Sequence, residues 1–193
     1  DIAGMVADLK KYKGKSGSSC PNVQDWLDAF GEADNVFTLT ITSELSGSYS
    51  AAMNAAEVYE SENPGKRVFV LDTRAAGPEM VFVVDKIKAL IAEGLHFDVI
   101  KEKVIDYHKR IHTLFCVQSM NNLARNGRVN PAVAKIAGML GIRMIGFAKM
   151  GRIEALHKVR GHKKAMQTLV DVMEEWGFQD GNLIRVSHCF AEK

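Results

Sequence analysis

Val36-Phe37-Thr38-Leu39-Thr40-Ile41-Thr42 runs straight into Ser43-Glu44-Leu45-Ser46-Gly47-Ser48-Tyr49, and the reading of this stretch decides the fold. Its first part is built of β-branched, aromatic and leucine residues, the composition of a buried strand. The hydroxyl-rich segment that follows breaks the strand, and Tyr49, Ala52, Met53, Ala56 and Tyr59 then recur at i, i+3, i+4, i+7 and i+10 on one helical face. Arg67-Val68-Phe69-Val70-Leu71-Asp72 reads as a second short strand, and residues 77–93 as a second helix. Strand, helix, strand, helix in succession predicts a right-handed crossover and a parallel sheet, so the fold class is α/β.

Upstream, Ile2, Met5, Val6 and Leu9 have helical spacing, and a loop from Lys13 to Pro21 separates them from a helix capped by Asn22 and stopped by Gly31. Downstream, Asp98 is expected to cap a helix to about Arg110. A strand from His112 to Gln118 and a short helix from Met120 to Ala124 closed by Asn126-Gly127 come next. Pro131 opens a helix to Leu140. Ile142 to Ala148 and Arg152 to Lys158 form an antiparallel hairpin about Met150-Gly151. Residues 161–176 form an amphipathic helix with Met166, Leu169, Val170 and Met173 inward, and Asn182 to His188 a last strand.

Hydrophobic residues make up 47% of the 193 and charged residues 25%, a balance that excludes a disordered or fibrous chain. The longest apolar stretch, Met80 to Val84, falls far short of the ~20 residues of a membrane span. Three widely spaced cysteines, Cys20, Cys116 and Cys189, argue against a disulfide framework and a structural zinc site and for a reducing cytoplasm. The net charge of +2 hides an asymmetry: residues 1–97 carry 9 Lys/Arg against 14 Asp/Glu, and residues 98–193 carry 16 against 9. The basic second half is either a solvated face or the side that meets an anionic partner.

Most catalytic motifs are excluded. Gly14-Lys15-Ser16 lacks the earlier glycine of a phosphate-binding loop, where Leu9 stands, and it follows a helix instead of a strand. There is no G-x-G-x-x-G and no G-x-S-x-G. The six histidines are not read as a metal site, and Ser187-His188-Cys189 would point to alternate faces of a strand. No catalytic residue, metal ligand or cofactor is therefore assigned. The hydroxyl clusters are more informative. Thr42-Ser43 and Ser46-Gly47-Ser48 fall where a strand passes into a helix, the crevice at the carboxyl ends of a parallel sheet, where backbone N–H groups converge on small anions. The alternative reading makes Ser43 or Ser46 a helix cap and Ser16 to Ser19 a plain flexible loop.

Ser18-Ser19-Cys20-Pro21, Ile41 to Tyr49 and Val70-Leu71-Asp72-Thr73 together resemble the DegV family of bacterial fatty-acid-binding proteins. Further marks follow in order: Asn122-Leu123, Asn126-Gly127-Arg128-Val129, Leu140-Gly141-Ile142-Arg143, Gly151-Arg152-Ile153, and Lys158-Val159-Arg160-Gly161-His162-Lys163-Lys164-Ala165. The resemblance implies a two-lobed α/β protein, with a mostly parallel sheet and flanking helices in a first lobe, residues 1–127, and a mixed α/β second lobe with an antiparallel hairpin, residues 128–193. It implies one long-chain fatty acid in a tunnel between lobes, with its carboxylate presented to a separate kinase that makes acyl phosphate. The chain itself is then a binding subunit and not an enzyme. The family's carboxylate-binding serine falls on Ser43 and its carboxylate-binding threonine on Ser18, which keeps the hydroxyl. Its head-group arginine, fifteen residues beyond the Gly127-Arg128 pair, falls on Arg143. Thr42, Ser46 and Gly47 complete the expected ligand-binding set. The family's opening strand with its Asp-Ser motif has no counterpart before Asp1, and its glycine-rich closing segment none after Lys193, so an internal fragment is expected and both lobes are expected to be incomplete.

A different class of function, a nucleic-acid-binding or regulatory protein, would use Arg143, Arg152, Lys158, Arg160, Lys163 and Lys164. That run lacks the interleaved aromatic residues on which single strands stack. An α/β enzyme with an unrecognised acyl or phosphoryl site lacks a nucleophile and base pair. The fatty-acid-binding reading is the stronger, with no nucleic acid and no membrane span expected.

Overall fold

The strand, helix, strand, helix succession forms as its pattern predicts in a computed structural model that describes residues 1–131 and 141–189. Strand β1 (Asn35–Thr40) leads through helix α3 (Ser48–Glu62) to strand β2 (Arg67–Asp72), with helices α1 (Ile2–Lys11) and α2 (Val23–Phe30) before it. The two strands pair in parallel, Asn35 opposite Arg67 through Thr40 opposite Asp72. Helices α4 (Glu79–Ala92) and α5 (Phe97–His108) follow.

Contacts divide the chain into two compact units, each assembled from separate segments. The first unit comprises Asp1–Ser19, Leu114–Phe147 and Ile153–Gln179; the second comprises Cys20–Thr113, Ala148–Arg152 and Asp180–Lys193. The sequence reading makes one cut, between residues 127 and 128, whereas these units interleave along the chain.

In the second unit the alternation of side chains across β1 and β2 sends residues to two faces. On one, Phe69 and Leu71 pack with Val83, Ile87, Leu90, Ile100 and Val104, and Phe37 and Leu39 close over them. Each fully buried aliphatic side chain there contributes ~1.5–3 kcal/mol. On the other face Val68 and Val70 meet Ala52, Ala55 and Ala56 of α3, with Phe30 and Tyr59 beyond. The alanines let α3 lie close to the sheet. Asn22 caps α2 as expected: its side chain accepts from the Asp25 N–H at 3.1 Å, and Asp25 accepts from the Asn22 N–H at 2.8 Å.

Three expectations are corrected. Asp98 is not the cap of α5, because His96 takes that position and Asp98 instead lies in the first turn, where it binds the Arg67 guanidinium at the start of β2. That hydrogen bond and charge hold the Asp98 carboxyl below its usual range. Residues 182–188 are not a strand. Leu183, Ile184 and Val186 are exposed, and although the run has β propensity, none of the described strands pairs with it. The helix expected from Pro131 to Leu140 lies outside the described residues after Pro131.

In the first unit β3 (Leu114–Val117), β4 (Ile142–Lys149) and β5 (Arg152–Arg160) form a sheet in that order, with helices α6 (Asn121–Arg125) and α7 (His162–Glu175). β3 and β4 are antiparallel, with Phe115 opposite Gly146 and Val117 opposite Met144. Ile145, Val159 and Ala165 form one buried cluster, flanked by Met166 and Leu169, and Met120 with Met144 forms another. Within α7 Val172 is buried and Val170 is exposed, the reverse of the predicted inward set at that turn, because Ala165 sets the buried stripe. The hairpin turns at Met150 and Gly151, whose φ values of 49° and 87° are the positive pair that a tight two-residue connection between twisted strands requires.

Gly146 has the least room of the strand positions. An added Cβ would stand 2.2 Å from the Glu154 carbonyl oxygen and 2.5 Å from the Phe115 ring. Gly146→Ala should lower stability by ~1–3 kcal/mol or more through overpacking. Urea denaturation should show this as a lower midpoint with an unchanged slope.

Candidate functional site

The carboxyl ends of β1 and β2 are held by hydroxyl and carboxylate side chains from the loops that leave them. Thr42 is 1% exposed, and its backbone N–H donates to the Ala75 carbonyl at 2.8 Å. Its hydroxyl donates to the Gly151 carbonyl at 2.9 Å and accepts from the Glu44 N–H at 3.2 Å. The Thr42 hydroxyl is thus used up in fixing the loop, which makes Thr42 a positioning residue within this geometry. Gly151 is required opposite it, since a Cβ there would come within 2.4 Å of Thr42 Oγ1. Beside that contact the Arg152 guanidinium meets the Glu44 carboxylate at 2.8 Å.

Ser43, next in the chain, is exposed. Its hydroxyl donates to Asp72 Oδ2 at 2.6 Å and its N–H to Asp72 Oδ1 at 3.2 Å. Asp72 Oδ1 also accepts from the Arg74 N–H at 2.9 Å, where Arg74 adopts a positive φ of 51°. Thr73 closes the other side of the strand ends, its hydroxyl donating to the Thr40 carbonyl at 2.8 Å, and His108 Nε2 lies 2.8 Å from the Thr73 carbonyl.

Neither Ser43 nor Ser46 is the N-cap of α3. Gly47 occupies the N-cap of α3 without a side-chain bond, and the Ser46 hydroxyl, one residue earlier, accepts from the Ser48 N–H at 3.2 Å and lies 2.9 Å from the Ser48 hydroxyl. Gly47 keeps the entry to α3 open, because a Cβ there would lie 3.3 Å from Cys20 Sγ. The N-terminal end of this 15-residue helix offers unpaired N–H groups and a partial positive charge.

Thr42, Ser43, Ser46 and Gly47 belong to the second unit, whereas Ser18 and Arg143 belong to the first. Ser18 is exposed in a loop that Asn126, at the end of α6, holds by donating to the Ser16 carbonyl at 2.5 Å and the Asn122 carbonyl at 2.8 Å. Arg143 is half-buried near the start of β4 and meets an acceptor in place of an ion: with its amide oxygen turned inward, Gln118 accepts from both guanidinium nitrogens at 2.9 and 3.1 Å. Burial pushes the thiol of nearby Cys116 up, and the Arg143 charge opposes that shift. The guanidinium charge is thus met by a neutral amide.

Asp72, Gln118 and Asn126 were assigned no role from the sequence. Asp72 ends a strand and pairs in register with Thr40. That signal becomes visible only once the two strands are aligned in parallel. Among the described residues no group of three or more His, Cys, Asp or Glu could hold a metal, and no helix is long and apolar enough to cross a membrane.

Thr42→Val should leave the Gly151 carbonyl and Glu44 N–H without their partner and cost ~1–3 kcal/mol. Thr42→Ser should restore most of the loss, since it keeps the hydroxyl. Thermal unfolding of the three proteins side by side checks this, and a loss in Thr42→Ser without one in Thr42→Val, which keeps the methyl, would mean that the methyl packing matters instead.

Comparison with known proteins agrees with this architecture. The family model described as "Uncharacterised protein, DegV family" matches residues 1–191. A DegV domain-containing protein of Streptococcus gordonii is 38% identical over 190 residues, covering 98% of this chain and 67% of its own length. The chain thus spans about two thirds of the curated relatives it matches. A DegV family protein from Eubacterium eligens loaded with heptadecanoic acid superposes with a TM-score of 0.87 at 40% identity, over 92% of this chain and 65% of that one. The fatty acid kinase (Fak) B3 protein of Streptococcus pneumoniae, loaded with linoleic acid, superposes with a TM-score of 0.89 at 36% identity, over 92% of this chain and 64% of that one.

Proposed function

The chain belongs to the DegV family, and from that premise we propose that it binds one long-chain fatty acid and presents the carboxylate to a separate kinase for acyl phosphate formation. The observation that carries this reading is that two structures matching 92% of the chain, at 36% and 40% identity, hold a fatty acid. The name of the second, a fatty acid kinase protein, supports the kinase as partner. On this reading the protein contributes binding and orientation, and the phosphoryl transfer belongs to the partner.

Energetics favour a division of labour between tail and head. A sixteen-carbon acid has about fifteen apolar groups at ~0.8 kcal/mol each, or ~12 kcal/mol of burial, against ~4–15 kcal/mol of lost freedom. Affinity therefore rests on the tail. Ser18 and Ser43 supply hydroxyls for the carboxylate, and Arg143 supplies a fixed charge for the carboxylate or the acyl phosphate. Each such bond is worth ~1.5–3 kcal/mol and decides which end of the acid is presented. Gly47 and Ser46 shape the approach to the α3 N-terminus, where an anion gains from the helix dipole.

Mass spectrometry of lipid extracted from purified protein should find one long-chain fatty acid per chain; a lipid-free protein that also fails to take up added palmitate would reject the reading. Arg143→Lys should keep the bound tail and reduce acyl phosphate formation by the partner kinase about tenfold or more, since the bidentate fork is lost with the guanidinium. Full transfer with acid still bound would reduce Arg143 to a sheet residue paired with Gln118.

A further inference from the structure

We propose that Asp72 sets how firmly a ligand carboxylate is held, by competing with it for the single proton of the Ser43 hydroxyl. The proposal rests on the reading of Ser43 as a carboxylate ligand and adds to it a residue that regulates the same site.

The two oxygens of Asp72 do different things. Oδ1 accepts the backbone N–H groups of Ser43 and Arg74, at 3.2 and 2.9 Å, and so ties the loop after β1 to the loop after β2. Among the described residues Oδ2 accepts only the Ser43 hydroxyl, at 2.6 Å. A serine hydroxyl has one O–H to give and two lone pairs to receive, whereas an ionised carboxylate can only accept. A fatty acid carboxylate can therefore bind the Ser43 proton only when Asp72 Oδ2 releases it. The exchange trades one charge-assisted hydrogen bond for another, and it brings a second negative charge close to the first, which costs Coulomb energy. Head-group attachment is in consequence weaker than a free serine hydroxyl would give. That suits a protein that must hand its ligand's carboxylate to a second active site instead of trapping it.

Asp72→Asn separates the two tasks. The amide oxygen can remain at the Oδ1 position for both backbone N–H groups, and the amide nitrogen replaces Oδ2 and donates to Ser43 Oγ, which frees the hydroxyl proton. Titration of delipidated protein with palmitate should show about tenfold tighter binding in Asp72→Asn, the size of one hydrogen bond to a charged group. Methyl palmitate, whose ester carbonyl accepts a weaker hydrogen bond than an ionised carboxylate, should gain clearly less than palmitate. The gain for palmitate should vanish when Ser43→Ala is added. Weaker or unchanged palmitate binding in a folded Asp72→Asn protein would overturn the proposal. So would a gain that survives Ser43→Ala, because that is charge removal without the serine. Should the amide variant not fold, Asp72→Ser, too short to reach the Ser43 hydroxyl, is read by the same criteria. Failure of the underlying reading looks different: Ser43→Ala alone would then leave palmitate affinity and orientation unchanged with Asp72 intact.

Discussion

The parallel register of β1 and β2 is the constraint on which the second unit depends. Once Asn35 lies opposite Arg67, Thr40 lies opposite Asp72, and the segments leaving both strands start side by side. A slip of one residue in either strand would turn its own pair, Phe37 and Leu39 or Phe69 and Leu71, away from the cluster under α4 and α5 and would carry Asp72 away from Ser43. The apolar faces thus fix the register, and the register fixes the polar contacts at the strand ends. Helix α3 can complete the crossover close to the sheet because Ala52, Ala55 and Ala56 face it.

Polar side chains at these strand ends fall into two groups by what remains free. Thr42 and Ser46 spend their hydroxyls on neighbouring backbone groups, which gives the loop one conformation without a long side chain or a metal. Ser43 spends its proton on a carboxylate that is itself anchored from two backbone N–H groups. The first group builds the scaffold and the second stays exchangeable. For the fatty acid proposed as ligand, little more than this would be needed at the polar end, because the hydrocarbon would supply the affinity.

Elements set by local chemistry were legible in the sequence. Asn22 with Asp25 marked a capped helix, Tyr49 to Tyr59 marked a helical face, and Met150-Gly151 marked a hairpin turn, since each depends on residues within a few positions of one another. What needed a partner from far along the chain was not. Asp98 looked like a cap until Arg67, 31 positions away, claimed it. Residues 182–188 carry strand propensity, but propensity supplies no neighbouring backbone. Of the candidate site, Ser43 stood out by its place where a strand passes into a helix, whereas Arg143 entered only through the order of family motifs and Ser18 otherwise read as part of a flexible loop. The hydrogen bonds that divide positioning from binding, Thr42 to Gly151 over 109 positions and Ser43 to Asp72 over 29, came from the tertiary structure.

The interleaving of the two units also orders events during synthesis. Helix α1 opens the first unit, yet the rest of that unit begins at Leu114, after residues 20–113. At ~5–20 residues per second a ribosome takes roughly 5–20 s to make that intervening segment. Throughout that interval α1, with Ile2 and Met5 exposed in the finished fold, lacks the segments of its unit that begin at Leu114, while the crossover of the second unit can already form. Thr42, in turn, can acquire its Gly151 partner only after the hairpin has emerged. The loop that carries Ser43 therefore takes its final shape late in translation, after the sheet that positions it.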